Sequence, residues 1–530
     1  MVERRRRPGA AAAVLVLGLV VAGCSPDTSD AADPSHASGT LQTAREHVQQ
    51  TSTLASPSER APRRPVARRC GRAGRHGPAR APRGARRVTV RTNLASAARR
   101  APAGTTFWLA RGVHRIGGGA YSQVRPKDGQ RFVGAPGAVL DGQHRNLYAF
   151  GGHARRVVVA HLTITRFGRR GTTQNEGVVN HDAGHGWRIL HNDVRRNAGA
   201  GVFVGSHNVL RGNCLAANGQ YGFSAYEPSG VTGVRLVRNE ITGNNIDDWE
   251  RREPGCGCSG GGKLWETQGA VLSGNWVHHN RGVGIWADTN NTGVAIVRNY
   301  FARNRSEAVI YETSYNARIV ANTFVRNGIW AGRRQAGFPV AAIYVSESGS
   351  DRRAGRRYGS MFRISHNHFV DNWSGVVAWE NADRFAGSPA NTSTDATTLV
   401  APRTATVKAC SDPATISRRP YYDDCRWKTQ NLLVDHNLFV FRRSQMPAAC
   451  TPSRGCGIMA LVSNWGSYPD WSPYKGRVVE DQVTFRQHNR WTANRYIGPW
   501  RFMAHELWHT VSWKGWLSSP YRQDAHSTRR

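Results

Sequence analysis

Asn275–Asn280 reads NWVHHN, and the same frame returns as NYFARN at 299–304 and NTFVRN at 322–327. Each is an Asn, one residue, an aliphatic or aromatic residue, two more, and a second Asn. Outward from this centre lie NDVRRN (192), NCLAAN (213), NEITGN (239), NHFVDN (367) and NRWTAN (489), while NLFVFR at 437 lacks only the second Asn. Around the occurrences from 192 to 437 two apolar columns hold. Three residues before the first Asn stand Ile189, Leu210, Leu236, Leu272, Ile296, Ile319, Ile364 and Val434. Two residues after it stand Val194, Leu215, Ile241, Val277, Phe301, Phe324, Phe369 and Phe439.

Two apolar columns on short β-type segments, repeating every 21, 26, 36, 24, 23, 45, 70 and 52 residues, describe a solenoid whose shortest turn is 21 residues. One turn alone buries too little to be stable, whereas stacked turns share a continuous core with strands about 4.8 Å apart. The Asn columns read as amide ladders at the bends, with a structural and not a chemical role.

The repeat resembles the right-handed parallel β-helix superfamily that includes pectate lyases, polygalacturonases and alginate epimerases. The segments FWLARGVHRI, VRPKDGQRFVGAPGAVLDG and VVVAHLTITRFG are similar to the opening coils of such proteins. The block from Gly260 to Gly328 resembles a group of bacterial β-helix proteins. The resemblance covers about residues 88–530. It implies an all-β chain, a single-stranded right-handed parallel β-helix with long loop insertions on one face, and action on a polysaccharide as a lyase or glycoside hydrolase. A non-catalytic carbohydrate-binding or cell-envelope structural protein is the alternative.

Acids recur at one place in the repeat. Asp288 and Glu312 lie eight residues after the second Asn of their coils, as does Glu380. Glu227 lies nine after, and the strands KLWET and AIYVSES supply Glu266 and Glu347. The expectation is a row of six carboxylates on successive coils, with Tyr226, Trp265, Trp286, Tyr311 and Trp379 beside them. Such charges repel unless a cation, a shared proton or an Arg intervenes. Calcium on Asp288, Glu312 and Glu266 would fit, as would a carboxylic acid of raised pKa paired with a base; solvated strand ends neutralised by Arg are the plain alternative. The long intervals place insertions beside this edge, where they would wall an acidic, aromatic trough. Asp288, Glu312 and Lys263 are the candidates for chemistry, and Trp265, Trp286, Tyr311, Trp379, Glu347 and Glu380 for sugar contact. By analogy with calcium-assisted lyases of the superfamily, Lys263 would be the base.

The N-terminus has the form of an export signal: Arg4–Arg7, the apolar run Ala10–Val21, then Val21-Ala22-Gly23-Cys24. The last four resemble a bacterial lipobox, which implies cleavage before Cys24, its lipidation, and a mature protein held at the outer face of the cell membrane by that anchor. Residues 1–24 are thus assigned to the signal, 25–87 to a disordered Pro/Arg-rich spacer, and 88–530 to the β-helix. Eight further cysteines allow 105 pairings; short spacing favours Cys410 with Cys425 and Cys450 with Cys456. A zinc reading of Cys256-Gly-Cys258 lacks a second ligand pair.

The net charge of +36 invites a polyanion, yet only six of 72 basic residues are Lys, so the excess of Arg in an Ala/Gly/Pro-rich chain reads first as coding bias. No nucleic acid and no organic cofactor is expected. Oligomeric state is not legible. HELWH at 505–509 matches a zinc-protease pattern, but it sits in what reads as a terminal coil.

Overall fold

An Asn at a bend can serve backbone groups that no strand partner reaches, and the β-branched and aromatic triplets between the bends pair with the next coil. The computed structural model describes residues 62, 68–72, 74, 76–169, 177–254, 256–258, 260–335, 340–354, 361–391, 404–463, 468–507 and 509–530. The signal segment, Cys24 and most of the expected spacer lie outside them. Among the described residues no helix is long and apolar enough to cross a membrane.

The chain winds as a right-handed parallel β-helix, with three long sheets of 13, 13 and 11 strands among the described residues. From Val158–Ala160 to Arg501–Glu506 each coil gives one strand to each sheet. The first apolar column lies in the first sheet, where Ile189, Leu210, Leu236, Leu272, Ile296, Ile319, Ile364 and Val434 are in register. The second column runs in the second sheet from Val194 to Phe439 and ends on Tyr496. All these side chains are buried. Phe301, Phe324, Phe369, Phe439 and Tyr496 stack face to face, with centroids 5.1, 4.7, 4.4 and 5.1 Å apart.

Two Asn ladders flank the second sheet. In the first, each amide from Asn192 to Asn437 donates to the Asn of the next coil, as in Asn239 Nδ2 to Asn275 Oδ1 at 3.0 Å. The second runs from Asn197 to Asn372. The residue before each Asn of the first ladder turns the corner in the left-handed region, as at His191, Arg238, Arg298 and His366. The frame at 489 is displaced: Asn494, not Asn489, receives the bond from Asn437.

Helical insertions interrupt the path on either side of the third sheet. Trp249–Arg252 precedes strand Gly260–Leu264, Ile329–Gly332 precedes Ile343–Ser346, and Val407–Cys410, Pro413–Ile416 and Tyr421–Asp424 follow Val376–Glu380. The disulfides Cys410–Cys425 and Cys450–Cys456 form as the spacing suggests, with Cys70–Cys214 and Cys256–Cys258 beside them.

The spacer expected through residue 87 ends earlier. Cys70 is bonded to Cys214, its backbone N–H and that of Arg69 donate to the buried Glu240 carboxylate at 2.8 and 2.5 Å, and Arg86–Val88 pairs with Thr106–Leu109. Its Pro/Arg composition hides this segment because it is pinned by a long-range bond and a buried acid, not by apolar periodicity.

Replacing Asn239 by Ala would strip acceptors or donors from Leu210, Asn213 and Asn275 together. Urea unfolding of Asn239→Ala should show a loss of about 3 kcal/mol, as a lowered midpoint with unchanged slope.

Candidate active site

The third sheet carries the acids, and its register sorts them into two columns instead of one. Lys263 pairs with Trp286 and Leu264 with Ala287, so Trp265 meets Asp288. Trp286 pairs with Ile310 and Ala287 with Tyr311, which sets Asp288 beside Glu312. Glu312 then pairs with Ser346, and Ser346 with Trp379. Trp265, Asp288, Glu312, Ser346 and Trp379 therefore form one outward column. Glu266, Glu347 and Glu380 stand one residue later, level with Thr289 and Thr313. Glu266 and Glu347 turn there with φ of 48° and 43°. For Glu266 and Glu347 the count from an Asn crosses an insertion, and for Glu380 the turn after Asn372 is one residue shorter than that after Asn304, so counting hides the one-residue offset.

Lys263 reaches the column because the glycines before it let the coils close. A Cβ on Gly262 would lie 2.0 Å from the Phe223 ring, and one on Gly261 2.3 Å from the Gly284 carbonyl oxygen. The Lys263 ammonium is 2.8 Å from Asp288 Oδ2 and donates to the Gly257 carbonyl at 3.1 Å. It also lies over the Trp265 and Trp286 rings at 5.1 and 4.9 Å. These are the partners of a cation. Thr289 Oγ1 donates to the other Asp288 oxygen at 2.9 Å.

Glu312 is the hub of the second half. Trp286 Nε1 donates to its Oε2 at 3.1 Å, and Arg384 to its Oε1 at 2.5 Å. The same guanidinium reaches Glu347 Oε2 at 3.0 Å, and the Asn381 N–H meets Glu347 Oε1 at 2.6 Å. Burial raises the Glu312 pKa; the Arg384 cation opposes the rise, and the Asp288 and Glu347 charges add to it. Burial likewise raises Glu266, against a hydrogen bond from Asn290.

The acids sit at depth instead of along an open trough: Asp288 is 3% exposed, Glu312 6% and Glu347 0%. The accessible edge beside them is aromatic, with Tyr226 42% exposed and its ring 5.4 Å from half-buried Trp265. Trp286 is buried behind Lys263. Two expected sugar contacts turn away. Tyr311 points into the core, edge-on to Phe362 at 4.9 Å, because alternation along the strand sends it opposite to Glu312. Glu380 is fully buried and bound by Arg426, Gln487 Nε2 (2.6 Å) and the Thr429 N–H (3.0 Å), so it anchors an insertion. Trp379 packs, partly buried, against Val377 and Val462. Glu227 is half-buried beyond Tyr226.

Calcium does not suit this donor set. Every carboxylate oxygen of Asp288 and Glu312 already accepts from Lys263, Thr289, Trp286 or Arg384, and Glu266 stands in the neighbouring column. The chain's own cations supply the charge balance that the metal was expected to provide. HELWH is no zinc motif either: Arg501–Glu506 is a strand, His505 meets Asp481 at 2.7 Å, and His509 meets the Tyr521 hydroxyl at 3.1 Å.

Residues 176–352 match the family model of the right-handed β-helix region. The segment is about a third of the chain and contains Lys263, Asp288, Glu312 and Glu347. Among solved structures, the chain is similar to the Azotobacter vinelandii mannuronan C-5 epimerase AlgE6 A-module, with 16% identity and a TM-score of 0.35 over 54% of this chain and 83% of that one. A mutant of the periplasmic alginate epimerase AlgG gives 11% and 0.37 over 71% and 78%. Pectate lyase Pel9A gives 15% and 0.30 over 56% and 77%. No curated protein matches the sequence. Identities this low say nothing of individual residues, whose roles rest on the geometry above.

Arg384 was not legible from the repeat, since it comes from an insertion 72 residues beyond Glu312. Tyr344 was equally silent; it pairs with Ile310 in the row of Lys263 and Trp286, and burial followed by the Glu347 and Glu312 charges pushes its phenol well up. The aromatic two residues before Ser346 was the only hint.

Because the folded Glu312 pKa lies above that of the unfolded chain, its contribution to stability is full below the ordinary carboxylate range and declines as pH climbs through the raised value. Thermal melts across pH should show that decline in the wild type and a flatter profile in Glu312→Gln. Arg384→Ala, which leaves two buried acids uncompensated, should cost about 3–5 kcal/mol near neutral pH and less in acid.

Proposed function

We propose that the chain is a carbohydrate-active β-helix protein that cleaves a polysaccharide by glycoside hydrolysis at Asp288 and Glu312. One observation carries the reading: two carboxyl groups on adjacent coils, in one outward column, are balanced differently. Asp288 has the Lys263 ammonium to itself, whereas Glu312 shares Arg384 with Glu347, and burial with the two neighbouring acids raises its pKa against that cation. A carboxyl group raised in this way beside an ion-paired carboxylate can serve as the acid of an acid–base pair.

In this assignment Glu312 protonates the leaving glycosidic oxygen. Asp288, held by Lys263 and Thr289, acts on the opposite face of the sugar as nucleophile or as base toward water. Lys263 orients Asp288 and offsets its charge instead of abstracting a proton. Tyr226 and Trp265 offer ring faces to the sugar at the exposed edge. The named activities of the similar structures, epimerases and a lyase on acidic glycans, agree with a polysaccharide partner. The same reading places the protein outside the cytoplasmic membrane with lipid on Cys24, supported by the signal-like N-terminus and by four disulfides, bonds that persist in oxidising compartments.

Purified protein on a panel of neutral and uronate glycans should release reducing ends without the ultraviolet absorbance of an unsaturated product, and EDTA should leave the rate unchanged. Glu312→Gln and Asp288→Asn should each lower kcat by about 10²–10⁴-fold. An unsaturated product would instead assign β-elimination with Lys263 as base. Silence across the panel, with the Asp288→Ala/Glu312→Ala double variant binding glycan like wild type, would leave a non-catalytic binding protein.

A further inference from the structure

Three of the four disulfides tie together buried or distant parts. Cys70–Cys214 spans 144 residues, Cys410–Cys425 15 and Cys450–Cys456 6, and each has at least one cysteine no more than 5% exposed. Cys256–Cys258 differs on both counts. It encloses a single residue, so it restrains the unfolded chain least, and both of its cysteines are only half-buried.

The enclosed residue has a task. Gly257 turns with φ of 56°, and its carbonyl accepts from the buried Tyr221 hydroxyl at 2.8 Å and from Lys263 Nζ at 3.1 Å. That ammonium is the one paired with Asp288. The bond between the two sulfurs thus fixes the loop, the loop fixes the carbonyl, and the carbonyl fixes one of the contacts that hold Lys263 in the acidic column.

We propose that Cys256–Cys258 is a reversible thiol–disulfide exchange site that positions Lys263. A thiolate of an external dithiol attacks one sulfur, the protein S–S bond breaks, and a mixed disulfide forms. The reductant's second thiol then displaces the cysteine and closes its own disulfide. Two electrons and two protons pass to the protein, and both cysteines become thiols. In the reduced form Gly257 is no longer confined, so Lys263 loses that acceptor and its amine becomes more accessible. Only the expected effect on turnover rests on the proposed hydrolysis; exchange and lysine release do not.

The full-length oxidised protein should be titrated with dithiothreitol, alkylated, and mapped by peptide mass, with Lys263 acylation by an amine reagent measured in the same samples. Cys256 and Cys258 should alkylate while the other three pairs stay bonded, and Lys263 acylation should rise several-fold in step. Cys256→Ser/Cys258→Ser without reductant should show the same raised acylation and a melting temperature close to wild type. Earlier reduction of another pair, or Lys263 reactivity that ignores the state of this one, overturns the proposal. If the oxidised protein cleaves a glycan, reduction should lower kcat more than it changes KM. If it cleaves none while the lysine still responds, the hydrolase reading fails and the exchange site stands.

Discussion

The coil-to-coil hydrogen bond between asparagine side chains is the constraint on which the molecule depends. At every bend the strand pairing lapses, and buried backbone groups left there would cost more than a short triplet of apolar side chains returns. An Asn satisfies backbone groups of the coil before it and donates to the Asn of the coil after it, as Asn239 does with Leu210, Asn213 and Asn275. It does so in only one vertical alignment, so the ladder that supports the corner also sets the register. That register decides which side chains of the third sheet face inward, as Tyr311 does, and which face outward, as Asp288 and Glu312 do.

Vertical alignment brings acids together at a cost the chain must offset. Two neighbouring carboxylates and a third one position away, all nearly removed from water, are tolerable only with cations at hand. Lys263 comes from the preceding coil and Arg384 from an insertion. The division is unequal, because Lys263 serves Asp288 alone while Arg384 is shared by Glu312 and Glu347. Burial, with the Asp288 and Glu347 charges, raises the Glu312 pKa against this shared guanidinium. The chemistry proposed for the site grows from that imbalance.

The solenoid was readable because its signal is carried by invariant positions at short range: the columns ending in Val434 and Phe439, the Asn frame, and the insertions crowding one edge. The meeting of Asp288 and Glu312 was readable for the same reason, since no insertion separates their coils, whereas Lys263 follows the insertion at Trp249–Arg252 and stands out by its glycine-rich strand. Legibility failed where distance along the chain intervened. Glu347 and Glu380 lie one position off Glu312 for two reasons: an insertion erases the count to Glu347, and the turn from Asn372 to Val376 is one residue shorter than that from Asn304 to Val309. Tyr311 reads as a groove aromatic because it precedes an acid as Trp265 does, but strand alternation turns it inward. Arg384 and the pinning of Cys70 to Cys214 belong to segments whose composition resembles loop, and only tertiary contact reveals their roles.

That last bond also determines how the molecule would bear load. Cys214 lies in the second sheet, several coils in from Arg86–Val88, which opens the first sheet. Tension transmitted from upstream of Cys70 therefore enters the flank of the solenoid at Cys214 and bypasses the end coil. Coils pulled from an end peel one after another, whereas a pull on the flank must shear several at once. The covalent strap thus converts a structure that unzips easily into one that resists traction from its N-terminal side.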